Sequence, residues 1–320
     1  MKNAMYKILY CFITMFMFSH FLTGHTCLAY QKETHKHIAS EALKLVDNPD
    51  LRIQAYVEEI KEGSWEADEK FYDSVWRLWR YNDPTAARDH FWNPDTGYAI
   101  APTVYTAYQK ASEYWYLAVA LYKEHPKDAY TFLGHIAHLL ADMSVPAHLL
   151  LDPHTGGDSY ETYMEIVNNY SKWGAKDITL PIKIAKSGHD LFNNLAQRAQ
   201  YFPSDDRLGN QEKADPVWFK DWPDPSTMRV DDSGNVCAWW SQGCHVDDKS
   251  LSEIRDRLIP LAIEYTASLY DYFYKQVNIP INDGITIPGS IDSQGQINKY
   301  PFTLLFVQHL RGSVNSAIPL

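Results

Sequence analysis

The sequence predicts an all-α protein, and three observations carry that expectation. Apolar residues recur at helical spacing through most of the chain up to Val277. The periodic runs are closed by Pro, Asn or Gly. Aromatic residues make up 14% of the chain, and many sit at helical spacing, where they read as core.

The elements follow in order. Residues His35 to Val46 predict a helix, with Ile38, Ala42, Leu45 and Val46 on one face, and Asn48-Pro49-Asp50 ends it. Leu51 to Ile60 continues helically, and Gly63 reads as an interruption. A polar and aromatic stretch runs to Pro94. Thr103 to His125 predicts a long helix closed by Pro126, Ala129 to Met143 another, and Asp158 to Tyr170 a third. Ile182 to Ala199 is helical in pattern. Residues 202–250 are rich in Asp, Pro, Gly and Ser and read as a long loop region. Ser250 to Val277 is amphipathic through Ile254, Leu258, Leu261, Ala262, Tyr265, Leu269 and Phe273, with Pro260 as an expected kink. Residues 278–320 change to Gly, Pro, Ile, Asn and Gln and read as an extended or disordered tail. Neither an internal repeat nor a Gly-rich phosphate loop is present.

The first 29 residues have the form of a secretory signal peptide. Lys2 and Lys7 precede the apolar run Ile8 to Phe18, and Cys27-Leu28-Ala29 places small residues at −3 and −1 of a cut before Tyr30. The expected organisation is therefore a signal peptide over 1–29, a domain over 30–277 and a tail over 278–320, in a protein that is secreted or periplasmic. Cys11 and Cys27 leave with the signal. Cys237 and Cys244 remain, and in an exported chain they predict one disulfide closing a small loop. The signal carries two positive charges and no acidic residue, so its removal takes the net charge from −11 to −13. A field of that sign does not draw nucleic acid or anionic lipid from a distance.

The chemistry is concentrated between Phe132 and His148. His138 and Asp142 are four apart on a predicted helix, so their side chains leave one face a turn apart and can grip one cation. Pro146 pushes Val145 out of helical geometry, which can swing His148 toward the same pocket. Elsewhere His35, Glu66 with Asp68, His90, and the run His154, Asp158, Glu161 and Glu165 offer further imidazoles and carboxylates. Histidine with carboxylate and no thiolate is the donor set of hydrolytic zinc.

These residues resemble the zinc-dependent phospholipase C and fungal single-strand nuclease superfamily. The family pattern His-x3-Asp-x3-Pro-x-His is met by His138-x3-Asp142-x3-Pro146-x-His148. Tyr30, His35, Ile38 and Ala39 match the register of the nuclease branch, which also often carries the Asp142-Met143 pair. Ser64-Trp65-Glu66-Ala67-Asp68 is similar to the family's Ser-Trp-Ala-Asp, with one residue inserted, and His154-x3-Asp158 matches its second-site spacing.

The resemblance implies a multi-helix fold with a metal cleft between helices and three Zn2+ ions. The first ion would take Asp68, His90, His138 and Asp142. The second would take His148, His154 and either Asp158 or Glu161. The third would take the Tyr30 amine and carbonyl, His35 and a bridging Asp142. It further implies hydrolysis of a phosphodiester by metal-activated water, with Asp68 orienting or deprotonating that water. His37 and His135 have no assigned role, Glu66 and Glu165 read as solvated charges, and Trp65, Trp92, Trp239 and Trp240 read mainly as packing.

The expected function is a phospholipase C-like hydrolase, with transient contact to a membrane surface and no obligate protein partner. A single-strand nuclease of the same superfamily is the second reading. A zinc-binding protein with little activity is the third.

Overall fold

The computed structural model describes residues 32–46, 51–67, 70–73, 78–81, 86–153, 157–178, 187–210, 222–238 and 243–278. The expected signal peptide, the tail beyond Asn278, and Tyr30, Asp68, His154, Trp239 and Trp240 lie outside them.

The described chain is mostly helical, as expected. Helix α1 (Lys32–Lys44) buries Thr34, His35, Ile38, Ala39, Ala42 and Leu43, one stripe at helical spacing. Helices α2 (Leu51–Ala55) and α3 (Val57–Glu66) follow. Helix α4 (Ala107–Leu121) starts four residues later than the pattern suggests, because Thr106 forms a capping box. Its Oγ1 accepts from the Gln109 N–H at 3.1 Å, and Gln109 Oε1 accepts from the Thr106 N–H at 2.9 Å.

Helix α5 (Pro126–Asp142) opens on its proline and forms the centre of the fold. Every residue from Phe132 to Asp142 is buried, because α1, α3, α4 and the final helix α10 (Asp248–Asn278) all pack around it. Helix α6 (Pro146–Leu149) follows Val145, whose backbone is extended (φ −100°, ψ 110°), as its proline neighbour requires.

Three expectations change. Gly63 does not interrupt the helix, since α3 runs through it to Glu66. A Cβ there would lie 2.3 Å from the Thr131 carbonyl oxygen and 3.1 Å from Gly134 Cα. Gly63 and Gly134 are therefore where the backbones of α3 and α5 touch. Gly63→Ala is expected to cost about 3 kcal/mol through overpacking, read as a lower denaturant midpoint. An unchanged midpoint would contradict the close approach.

The helix expected over 158–170 is two, α7 (Ser159–Met164) and α8 (Val167–Tyr170). Ile166 is extended between them, and Asn169 Nδ2 donates to the Tyr163 carbonyl at 2.8 Å. The aromatic stretch before Pro94 contains a hairpin, β1 (Lys70–Asp73) with β2 (Leu78–Tyr81), paired antiparallel with Phe71 opposite Arg80. A 3-10 turn over Ala86–His90 follows it.

Helix α9 (Gly188–Ala199) is capped by Ser187, whose Oγ accepts from Asp190 N–H. In the loop region, β3 (Arg229–Val230) pairs antiparallel with β4 (His245–Val246) beside the Cys237–Cys244 disulfide. Helix α10 is about 46 Å long, contains Pro260, and lies against α1, α5 and α9. Among the described residues, no helix is long and apolar enough to cross a membrane.

Candidate metal centre

Asp142 is the last residue of α5 and is completely buried. Four imidazoles from four elements converge on it, and its two oxygens face different pairs. Oδ1 lies 3.3 Å from His35 Nε2 of α1 and 3.9 Å from His148 Nδ1 of α6. Oδ2 lies 2.7 Å from His90 Nδ1 at the end of the 3-10 turn and 3.4 Å from His138 Nε2 of α5 itself. His138 and His35 stack, with ring centroids 3.6 Å apart. A second carboxylate continues the chain of contacts, with Glu161 Oε1 of α7 3.2 Å from His148 Nε2. All six side chains are buried.

Local structure explains the convergence. His138 and Asp142 share a face because they are four apart on α5. Pro146 ends α5 and starts α6, which turns His148 back toward Asp142. The His90 segment is pinned to α6 by the Trp92 N–H donating to the His148 carbonyl (3.3 Å) and by Asn93 Nδ2 donating to the Leu149 carbonyl (2.9 Å). Thr34, beside His35, donates its hydroxyl to the Met164 carbonyl at 2.8 Å and so ties α1 to the end of α7.

The donor chemistry fits a cation. His138 Nδ1 is 2.6 Å from the Ser64 carbonyl oxygen of α3. A carbonyl only accepts, so Nδ1 carries the proton. In the neutral ring Nε2 then presents a lone pair to Asp142 Oδ2 and to His90 Nδ1, 3.2 Å away. A lone pair facing a carboxylate in a dry site is unfavourable unless positive charge lies between them. The carbonyl–imidazole contact is also the outer support that metal-binding histidines usually have.

Distances agree. Zinc bonds of about 2.1 Å at tetrahedral angles set neighbouring donor atoms about 3.4 Å apart. The His35–Asp142, His138–Asp142 and His148–Glu161 separations, 3.2 to 3.4 Å, match that spacing. One donor atom from each of His35, His138 and Asp142 can be chosen within 4.8 Å of the other two.

Electrostatics point the same way. Without a cation, the positive charge the carboxylate needs has to come from protonated imidazoles: burial pushes the Asp142 carboxyl upward, but charge on His138 and His90 and the hydrogen bonds of His35 and His90 outweigh it. The group is held well below the ordinary carboxylate range and stays an anion.

A sequence pattern describing zinc-dependent phospholipase C matches residues 34–200. That span covers half the chain and contains all six converging side chains. The chain belongs to the zinc-dependent phospholipase C family. Among solved structures, the alpha toxin of Clostridium absonum is similar with a TM-score of 0.52 at 14% identity, covering 78% of this chain and 66% of that one. A Clostridium perfringens alpha-toxin from an avian strain aligns at 15% identity with a TM-score of 0.46, covering 81% of this chain and 65% of that one. The chain thus spans about two thirds of the length of these toxins. The first likeness establishes the all-α fold. No curated protein matches the sequence.

Within the family's matched span, the structure brings together His35, His90, His138, Asp142, His148 and Glu161. Asp158 has a different place. Its Oδ1 accepts from the Tyr160 and Glu161 N–H groups and caps α7. The residues without an expected role pack structurally. His37 Nε2 is 2.7 Å from the Trp173 carbonyl, and His135 is buried against Tyr114. Trp92 is core, Trp65 lies under the Lys32 ammonium, and Glu165 is solvent-exposed. Sequence reasoning did not assign the Ser64 carbonyl or Thr34. Ser64 heads the Ser-Trp segment, but a backbone acceptor leaves no side-chain signature.

Proposed function

We propose that this chain is a secreted phospholipase C-type phosphodiesterase that holds three zinc ions and cleaves phospholipid. The observation that carries the reading is the Asp142 carboxylate, with one oxygen facing His35 and His148 and the other facing His90 and His138. A carboxylate so placed is suited to bridging two cations.

His35, His90, His138, Asp142, His148 and Glu161 would hold the metals, joined by Tyr30, Asp68 and His154 as the family resemblance implies. Zinc, when bound, supplies Lewis-acid polarisation of a phosphoryl oxygen and lowers the pKa of water toward neutral. The protein's own part is to fix the donors. Ser64 sets the His138 tautomer, Asp142 supplies fixed negative charge, and the packed rings of His35, His138 and Phe91 limit water around them. Asp68 is proposed to orient the attacking water or take its proton.

Export is supported by the N-terminal pattern and by the disulfide, which persists in oxidising compartments. The Asp142-Met143 pair and the Tyr30 register favour a second reading, cleavage of single-stranded nucleic acid.

The test is a substrate profile of zinc-loaded protein beginning at Tyr30. Turnover of bis-p-nitrophenyl phosphate is expected, with phosphatidylcholine cleaved faster than single-stranded DNA. The reverse order would favour the nuclease. Bound zinc with no turnover of any of the three would make the chain a zinc-binding protein.

A further inference from the structure

The position of Glu161 depends on residues far from it in sequence. Its helix, α7, has six residues, too few to hold its place by its own hydrogen bonds. The first three N–H groups of that helix are all taken by carboxylates. Asp158 accepts from Tyr160 and Glu161. Asp205 Oδ2 accepts from both the N–H and the hydroxyl of Ser159, each at 2.9 Å. Anionic acceptors at a helix N-terminus are favourable in charge as well as in hydrogen bonding.

The same turn reaches the His148 side. After α6, Leu151 takes a left-handed backbone (φ 54°), and the Asp152 N–H donates back to the Ala147 carbonyl at 3.0 Å. That reversal presents the buried Asp152 carboxylate to the turn. Ser204 Oγ donates to Asp152 Oδ2 at 2.6 Å, and the Asp206 N–H donates to the same oxygen at 3.3 Å.

The turn is itself anchored. Asp205 Oδ1 accepts from the Val246 N–H at 3.1 Å. The fully buried Arg229 donates Nε to the Asp205 carbonyl oxygen at 2.9 Å, and its charge sits among Asp152, Asp205 and Asp206. Three residues, Ser204 to Asp206, thus grip the chain four positions after His148 and two positions before Glu161.

We propose that the Ser204-Asp205-Asp206 turn is a positioning clamp that holds the Glu161 carboxylate against His148 and so sets the zinc affinity of that pair. Asp205 acts through Ser159 and α7 and touches neither metal nor substrate. Ser204 acts through Asp152. The inference rests on the reading of His148 and Glu161 as zinc ligands.

The test is a chelator-competition titration with zinc on the full protein, comparing Asp205→Ala, Glu161→Ala and the double variant. Asp205→Ala should weaken one zinc by about 10- to 100-fold, the usual effect of removing an outer support, and leave the others at native affinity. In the Glu161→Ala background, Asp205→Ala should have almost no further effect, because the group it positions is gone. Ser159→Ala, which keeps the N–H bond and loses only the hydroxyl bond, should give a smaller loss in the same direction. It serves also if Asp205→Ala does not fold.

Native zinc affinity in both Asp205→Ala and Ser159→Ala, with one zinc weakened in Glu161→Ala, would overturn the clamp alone. So would losses from Asp205→Ala and Glu161→Ala that add in full, or equal weakening of every zinc. Retention of every zinc in Glu161→Ala would instead overturn the ligand assignment beneath it.

Discussion

Asp142→Asn is expected to release more than one zinc per chain and to lower kcat/KM by at least about 10³-fold, equivalent to about 4 kcal/mol of barrier. The substitution is nearly isosteric, so packing at the end of α5 is kept. What changes is charge and donor number. Asp142 is buried, and four imidazoles face its two oxygens. An amide offers one acceptor oxygen and turns two hydrogens toward the other pair of rings. Neither the His35–His148 side nor the His90–His138 side would then keep its anion. Zinc content by mass spectrometry, with turnover of bis-p-nitrophenyl phosphate, reads the result. A variant that loses one zinc or none and retains activity would remove the bridging role.

Extending the chain by Gly-Ser ahead of Tyr30 is expected to remove one zinc and cut turnover sharply while the fold persists. If the Tyr30 amine is a ligand, a peptide bond at that nitrogen abolishes it, because the lone pair is delocalised into the amide. Metal binding also requires the unprotonated amine, a form that zinc favours by competing with the proton. His35, five residues on, faces Asp142 at 3.3 Å, so the start of α1 is directed into the cluster. Removal of the signal would then be the step that completes the site. If the signal-peptide reading holds, mass spectrometry of protein from its native source should first give Tyr30 as the N-terminus. Equal zinc content and equal rate in the extended protein would leave a site built without the terminus.

The parts of this site that were legible in the sequence are the local ones. His138, Asp142, Pro146 and His148 lie within eleven residues, and helix geometry with one proline determines how they face each other. His35 and His90 stand out in the sequence as candidate donors, but their place in one cluster came only through resemblance, since periodicity alone does not say that α1 and a 3-10 turn meet α5. The different places of Asp158 and Glu161 were not legible before the cap was known. Asp158 at the start of a helix is an N-cap by chemistry, and three residues on, Glu161 faces His148.

Gly63 was misread for a physical reason. A glycine that breaks a helix and a glycine that lets two helices touch look alike until the partner, Gly134, is known. Ser204 and Asp205 gave no signal, because they lie in a polar loop and the partners they hold near the site, Asp152 and Ser159, are 52 and 46 residues away.

Diffraction data collected on both sides of the zinc absorption edge, from crystals of the protein beginning at Tyr30, test the central claim most directly. Anomalous peaks are expected on both sides of the Asp142 carboxylate. Each should lie about 2.0–2.2 Å from one of its oxygens, one toward His35 and the other toward His90 and His138. A single peak touching one oxygen, or peaks that avoid Asp142 altogether, would contradict the account.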